Sequence, residues 1–384
     1  MTFSASSNQQ QPRDSAEARQ YNRIRRRLAI GDMLLNFLFL VVLLATGLNS
    51  TLRDWAYRTS GQRYTLAVFF YVLALLLISK AVGFGLDYYG FRLEHHFNLS
   101  NQRLKSWLWD ETKGWLIGLV IAVILVELIY GTIRIAPMKW WLIAWAIYNG
   151  LAIFFAHIAP VVLFPLFYKF YPLTNEELKQ RLIKLSENAG TRVRGVYEWK
   201  LSEKSKKANA ALAGLGATRR IILADTLIQN YSADEIEAVL AHELGHHVHK
   251  HILKSIVLQV GISLIGFWLV ALGLSYAVER DMFLSLHDFA SLPLLVLMTT
   301  VMSFILMPLM NAYSRQKERE ADRYCFKSIP KLAPFISSMN KLADQNLSER
   351  TPSRLVELWF HSHPPVAKRI AAAEAWIKDH PASA

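Results

Sequence analysis

The stretch SADEIEAVLAHELGH, residues 232–246, carries the strongest local signals in the chain. A serine followed three positions later by a glutamate forms a capping box, which predicts that a helix begins at Ser232. On that helix His242 and His246 lie one turn apart on the same face. Two imidazoles in this arrangement can bind one tetrahedral ion, and zinc favours such nitrogen ligands.

A glutamate, Glu243, directly follows the first of these histidines and indicates what the metal would do. Glu243 can take a proton from a metal-activated water and pass it to a leaving amine. The pattern therefore predicts a zinc metalloendopeptidase with Glu243 as catalytic base. A solvated helix with a histidine cluster is the alternative, because three more histidines follow within five residues. One of them, His249, returns to the face of His242, so ligation and a structural role are both open for it.

Composition places this helix in a membrane protein. Of the 384 residues, 53% are hydrophobic, which exceeds the share in most soluble domains. The net charge of +13 comes from scattered Lys and Arg without a nucleic-acid-binding motif, so no nucleic-acid partner is expected. The single cysteine, Cys325, excludes an internal disulfide and a multi-cysteine metal site, and it is expected to be inert packing.

Six apolar segments are long enough to cross about 30 Å of hydrocarbon as helices. Four precede the HELGH run and two follow it. They cover 33–52, 64–86, 114–133, 140–168, 255–278 and 289–314. The fourth contains two prolines and is expected to be kinked, tilted or short of the full crossing. The predicted fold is therefore mainly α: a polytopic α-helical membrane protein of about six spans, with a cytosolic α+β zincin-like domain.

The predicted organisation has five parts. They are a disordered basic tail over 1–27, a membrane domain of four spans over 28–168, a zincin-like domain over 169–254, a transmembrane hairpin over 255–312, and the closing part of the zincin domain over 313–384. The zincin-like domain is expected to contain a helix over 174–189 and strands over 193–199, 208–216 and 219–225, with 208–216 at an edge.

Charge predicts which side of the membrane the domain occupies. Lys and Arg number six in 1–32 and four in 87–113, against three in 53–63, two in 134–139 and one in 279–288. Because positive residues favour the cytosolic side, the N-terminus and both parts of the zincin domain are predicted to be cytosolic.

The third metal ligand is expected just after the last span. The run SRQKEREAD, residues 314–322, supplies Glu318, Glu320 and Asp322. If this run is helical, Glu318 and Asp322 share a face while Glu320 points away. We therefore expect Glu318 to bind the metal and Asp322 to accept the free ring N–H of a ligating histidine. A solvated juxtamembrane helix is the alternative for this charged run.

These residues together resemble the gluzincin membrane proteases that include the type I CAAX prenyl endopeptidases. The matching stretches are FRLEHHFNLSNQ (91–102), FPLFYKFYPL (164–173), KKANAALAGLGATRRIILADTLI (206–228), AHELGH (241–246), NAYSRQKEREADRY (311–324) and HSHPPVAKRI (361–370). The resemblance selects the same Glu318 and Asp322. One difference is the number of spans, since the eukaryotic members have seven and this chain has six.

The resemblance also implies roles for residues outside the HELGH helix. It implies that Asn209 and Ala210 lie on an edge strand that pairs with an extended substrate. It implies that His363 stabilises the oxyanion, with His361 as a nearby competitor. Ser314 and Arg315 are expected to be structural.

The expected function is that of a multi-pass membrane protease with one Zn²⁺ per chain, similar to type I CAAX prenyl proteases. The expected partners are the lipid bilayer and a peptide or protein substrate, with or without a prenyl group. Degradation of misfolded or stalled membrane proteins is the alternative, and a catalytically silent scaffold is a further one. The membrane would be the plasma (inner) membrane in a bacterium and the endoplasmic reticulum in a eukaryote.

Overall fold

The computed structural model describes residues 14–214 and 219–383. Within them the chain forms long apolar helices and a smaller helical part with one four-stranded sheet. The helices are α1 Ala16–Ala45, α2 Leu48–Thr59, α3 Tyr64–His96, α4 Leu104–Ile135, α5 Trp140–Ile158, α6 Glu176–Asn188, α7 Asp225–Asn230, α8 Ala233–Val248, α9 His251–Glu279, α10 Leu292–Ser328, α11 Ala333–Gln345, α12 Arg354–Phe360 and α13 Val366–Asp379. The strands are β1 Phe170–Pro172, β2 Val196–Trp199, β3 Ala210–Ala213 and β4 Arg220–Ala224.

Six of the described helical segments are long and apolar enough to cross a bilayer, as expected from the sequence. They are α1, α3, α4, α5 with the turns that follow it, α9, and α10 with the short turn before it. Most of their apolar side chains face outward. In the most apolar 18-residue stretch of α1, for example, only 6% is buried inside the protein. Extensive apolar surface of this kind is stable in lipid. The fold is that of a polytopic α-helical membrane protein.

The first helix corrects the expected tail. Residues 16–27 were predicted to be disordered, but they are the first turns of α1, capped by Ser15. Tyr21 is fully buried there and packs edge-on against Phe97, with ring centroids 5.3 Å apart. Because residues 16–27 are mostly polar and rich in arginine, their composition did not indicate that Tyr21 is buried. Residues 1–13 lie outside the described part of the chain.

Backbone breaks adjust the predicted spans. Gly47 adopts a left-handed φ of 72°, so α1 ends at Ala45 and residues 48–52 belong to α2. The α-helical part of the fourth span ends at Ile158. A π-helical turn, Ala159–Leu163, and a 3-10 turn, Phe164–Leu166, follow it and contain the two prolines. The expected boundary at residue 312 is absent, because α10 continues without a break for 37 residues to Ser328.

The small sheet has the order β1-β2-β4-β3. β2 and β4 are parallel, whereas β1 and β3 each pair antiparallel with a neighbour. The strand predicted over 208–216 is β3, and it lies at an edge as expected, although residues 215–216 lie outside the described part. β1 was not predicted, because its three residues follow directly on an apolar span.

Helices α8 and α10 cross at very close range. A Cβ atom on Gly245 would lie 2.8 Å from the Cα atom of Ala321 and 2.9 Å from its carbonyl oxygen. Real Cβ atoms do not approach this closely, so the crossing requires glycine on α8. Nearby, the thiol of buried Cys325 donates to the carbonyl of Ala238 at 3.3 Å, which agrees with the packing role expected for it.

The start of α8 is fixed by the predicted capping box. Ser232 Oγ accepts the backbone N–H of Glu235 at 3.3 Å, and the Glu235 carboxylate accepts that of Ser232 at 2.7 Å. Ser337 and Lys341 of α11 donate to the same carboxylate at 2.6 and 2.8 Å. Burial opposes ionisation, but these donors together hold the pKa of Glu235 below its usual value.

We expect Glu235→Ala to lower the melting temperature of the purified protein by several degrees, because a helix cap contributes about 0.5–2 kcal/mol and two further donors lose their partner. A lowered folded-state pKa stabilises above the ordinary pKa and is lost below it. The difference from wild type should therefore shrink as the pH falls below about 4. Glu187→Ala, at an exposed position of α6, is the control. Equal shifts for both variants would contradict the assignment.

Candidate metal centre and substrate cleft

Three side chains from two helices converge at one point. His242 and His246 come from α8, and Glu318 comes from α10. The Nε2 atoms of the two histidines lie 3.2 Å apart. Glu318 Oε2 lies 3.3 Å from His242 Nε2, and Glu318 Oε1 lies 3.3 Å from His246 Nε2. The structure thus brings together the three residues predicted as ligands.

The spacing of these atoms fits one metal ion. Bonds of about 2.0–2.1 Å to a tetrahedral ion place neighbouring ligand atoms about 3.3 Å apart. Glu318 is 4% exposed, and its Oε2 atom has no hydrogen-bond partner among the described residues. His363 Nδ1 lies 2.9 Å from that oxygen, but without hydrogen-bond geometry. A buried carboxylate oxygen of this kind needs a cation, and the donor set suits a metal.

Asp322 and Arg369 contact the side of the His242 ring that faces away from Glu318. Asp322 Oδ1 lies 2.8 Å from His242 Nδ1 and accepts its N–H, which leaves Nε2 directed at Glu318 and the predicted metal position. Arg369 of α13 donates to both oxygens of Asp322, at 2.6 and 2.9 Å. No role was predicted for Arg369 from the sequence, although this residue lies within the HSHPPVAKRI stretch (361–370). This two-pronged ion pair fixes the carboxylate in the plane that His242 requires.

Burial and neighbouring charges shift the pKa values of the clustered residues in opposite directions. Burial and the Arg369 cation lower the pKa of His242, but its contacts with Asp322 and Glu318 outweigh them and raise it to about 9. Burial opposes ionisation of Glu318, yet the surrounding histidines hold its pKa far below the usual range. The two carboxylates therefore favour a positive charge on His242. A metal ion would replace the proton that carries this charge, so binding is expected to release it.

A second chain of contacts supports His246. Its Nδ1 atom lies 3.0 Å from Nδ1 of His251, and Nε2 of His251 lies 3.0 Å from a carboxylate oxygen of Glu320. If His251 donates to Glu320, its Nδ1 atom accepts from His246 and leaves His246 Nε2 free for the metal. His251 is buried, and burial lowers its pKa, in keeping with a neutral ring.

The contacts from His246 through His251 to Glu320 were not predicted from the sequence. Glu320 does point away from the ligand face, as predicted, but it reaches the centre through His251. The signal was present in the HHVHKH run, yet the backbone reversal at Lys250, with φ 55°, brings His251 back toward His246. His249, which was open as a ligand, lies outside the three-residue cluster and stacks on His251 with ring centroids 5.6 Å apart.

A cleft of about 560 Å³ opens beside the metal centre, and Glu243 lines it. Glu243 is partly exposed and has no ion-pair partner among the described residues. Asn209 and Ala210 line the same cleft: Ala210 begins the edge strand β3, and exposed Asn209 directly precedes it. The residues predicted for catalysis and for substrate pairing therefore share one cavity with His242, a predicted metal ligand.

The closing segment of the chain completes the cleft. His361 and His363 both line it, but only His363 comes within 2.9 Å of Glu318. Arg315 of α10 donates to the carbonyls of Glu357 and His361 at 2.8 and 2.7 Å. The structural role expected for Arg315 thus has a definite form: it holds the segment before His363 against the helix that carries Glu318.

A multi-pass helical membrane fold with a His, His, Glu cluster beneath an open cleft defines a membrane metallopeptidase. Comparison with known proteins agrees. The sequence model of peptidase family M48 matches residues 172–377, and the model described as "CAAX prenyl protease N-terminal, five membrane helices" matches residues 5–169. The chain belongs to peptidase family M48. In the described part of that N-terminal range, four long apolar helices and the shorter α2 are present.

Individual relatives agree with the family assignment. The chain is 33% identical to YhfN of Bacillus subtilis, described as an uncharacterized metalloprotease, over 94% of this chain and 86% of the relative. It is 25% identical to the human CAAX prenyl protease 1 homolog, over 85% of this chain and 78% of the relative. The crystal structure of Ste24p from S. mikatae superposes with a TM-score of 0.84, covering 93% of this chain and 88% of that one at 24% identity, and shows the same fold. The protein is an integral-membrane metalloprotease of the CAAX protease type.

We expect Gly245→Ala to reduce metal retention and peptidase activity together by about tenfold or more, because the added methyl group forces α8 from α10 and overpacking costs about 1–3 kcal/mol. Metal content after dialysis against a weak chelator measures the first effect. Gly261→Ala on α9 is the control, since a Cβ atom there meets open space. Normal metal retention in Gly245→Ala would show that the close crossing does not set the ligand geometry.

Proposed function

We propose that the metal is zinc, bound one per chain by His242, His246 and Glu318. Two imidazoles and one carboxylate, with a fourth position left for water, are the donor set of catalytic zinc in peptidases. The near-equal separations of 3.2–3.3 Å between the ligand atoms support this proposal most directly. Asp322 and His251 keep the two rings oriented when the ion is absent.

The cleft suggests how the chain hydrolyses a peptide bond. When bound, zinc would supply a Lewis acid that polarises water and the scissile carbonyl. Glu243 takes the proton from the attacking water and delivers it to the leaving amine. An extended substrate pairs through its backbone with the free edge of β3 at Asn209 and Ala210. His363 donates an N–H to the oxyanion that develops on the carbonyl.

The position of His363 supports this last role over that of His361. Its ring lies beside Glu318 yet its side chain is 62% exposed toward the cleft, so it can turn to a bound substrate. A silent scaffold is disfavoured because Glu243 faces the cleft without an ion-pair partner in the described ranges, whereas a structural zinc site requires no base.

Two observations support a cytosolic metal centre. Lys and Arg are denser in the tail and in residues 87–113 than in the opposite connections. The four apolar helices before β1 and the two after α8 return the chain to the side of its N-terminus. The proposed zinc domain and the N-terminus therefore share the cytosolic face.

The proposed substrates are the C-terminal ends of prenylated proteins. This proposal rests on the relatives named as CAAX prenyl proteases and on the position of the site beside two membrane helices, α1 and α10. Turnover of misfolded or stalled membrane proteins is the second candidate. The edge strand β3 favours it, because backbone pairing accepts many sequences.

We expect Glu243→Gln to retain zinc and fold but to lose peptidase activity by about a hundredfold or more, the usual contribution of a general base. Zinc is counted by elemental analysis and cleavage by a quenched fluorescent peptide. Glu237→Gln is the matched control, because Glu237 lies on the same helix but pairs with Arg181. Full activity of zinc-loaded Glu243→Gln would refute the mechanism.

The substrate proposal predicts that a farnesylated CAAX peptide is cleaved with a higher kcat/KM than its unmodified counterpart. The prenyl chain adds apolar area that membrane helices or lipid can bury. Purified wild-type protein in detergent, with both peptides in competition, provides the measurement. Equal rates would favour the second candidate.

A further inference from the structure

One wall of the catalytic cleft is formed by the first membrane helix. Asn22, Arg25, Arg26 and Ala29 of α1 all line the cavity that contains Glu243 and His363. Their spacing of i, i+3, i+4 and i+7 is that of one helical face. The arginine-rich N-terminal part of α1 therefore lines the proposed substrate site, in addition to preceding the apolar part of the first span.

Contacts with the closing part of the chain hold α1 in this place. The Asn22 side-chain amide donates to the carbonyl of Leu347 at 2.6 Å. Asp14 accepts the backbone N–H of Arg350 at 2.5 Å, and Arg26 forms a salt bridge with Glu349. Residues 14–26 are thus fixed to the segment that leads from α11 to α12.

The cations of the cleft differ in how they are paired. Arg369 is neutralised by Asp322, and Arg26 by Glu349. Arg25 has no carboxylate partner among the described residues, its side chain is exposed, and its guanidinium lies 6.0 Å from the ring of Tyr21. A positive charge that faces a catalytic cavity without an acidic partner is available to bind an anionic group of a substrate.

We propose that Arg25 binds the C-terminal carboxylate of the substrate and so selects peptides that are cleaved near their C-terminus. This inference rests on the proposed peptidase function and specifies its substrate class. A guanidinium can hold a carboxylate through two parallel N–H···O bonds. A carboxylate three residues beyond the scissile bond lies about 10 Å from it in extended chain, a distance that a short tail can span inside one cavity.

The neighbouring arginines separate this role from binding of lipid headgroups. Arg19, Arg23 and Arg27 are exposed on the same helix but do not line the cleft. Anionic lipid would attract all of these residues by charge alone. Of these four exposed arginines, only Arg25 lines the cavity that contains Glu243. The carboxylate-binding role is therefore assigned to Arg25.

The experiment compares two peptides that differ only in their C-terminal group, a free carboxylate or a carboxamide. Wild-type protein in neutral detergent should prefer the free acid by about tenfold or more in kcat/KM, mainly through KM, as expected for one charge-assisted contact. Arg25→Ala should lower kcat/KM for the free acid by about tenfold, so that the variant no longer distinguishes the acid from the amide. Arg25→Lys should restore part of the preference, and Arg23→Ala should retain all of it.

Three outcomes would overturn the inference. A wild-type enzyme that cleaves both peptides equally would remove the carboxylate site while leaving the proposed peptidase function intact. An equal loss on both peptides in Arg25→Ala would assign the residue a structural role, and a loss confined to vesicles with anionic lipid would assign it to the membrane surface. Cleavage of neither peptide by zinc-loaded wild type would contradict the proposed function itself.

Discussion

The close crossing of α8 and α10 is the constraint on which the rest of the structure depends. Gly245 has no side chain, so the two backbones approach to a distance at which even a methyl group would overlap Ala321. At this distance the carboxylate of Glu318 on α10 lies 3.3 Å from both His242 and His246, which are one turn apart on α8. The proposed third ligand, Glu318, is supplied by a membrane helix that continues without a break into the catalytic part.

Each histidine of the centre is oriented by a separate polar chain. Asp322, held by Arg369, fixes the ring of His242, whereas His251, backed by Glu320, fixes that of His246. Each chain of contacts includes a carboxylate of α10, Asp322 or Glu320, and both Nε2 atoms face Glu318. A buried cluster of this kind is stable only if its remaining ring nitrogens are paired, and both are.

The candidate metal ligands and the catalytic base could be predicted from the sequence. Part of the hydrogen-bond network that orients the two histidines could not. Spacing alone placed His242 and His246 on one face, and helix periodicity with a return across the membrane selected Glu318. His251 and Arg369 were missed because they depend on a backbone reversal at Lys250 and on the packing of α13, which are tertiary features. The start of α1 was misjudged for a related reason: Tyr21 is buried among arginines, and a composition average conceals one buried ring. The short β1 strand carried no periodic signal at all.

The most direct test of the account is zinc K-edge X-ray absorption on the purified protein, with elemental analysis of the same samples. We expect one zinc per chain, bound to two imidazole nitrogens and a carboxylate oxygen at about 2.0–2.2 Å, and loss of that signal in His246→Ala. Absence of zinc after purification in zinc-containing buffer would contradict it. So would a sulfur ligand, or a spectrum unchanged by removal of His246.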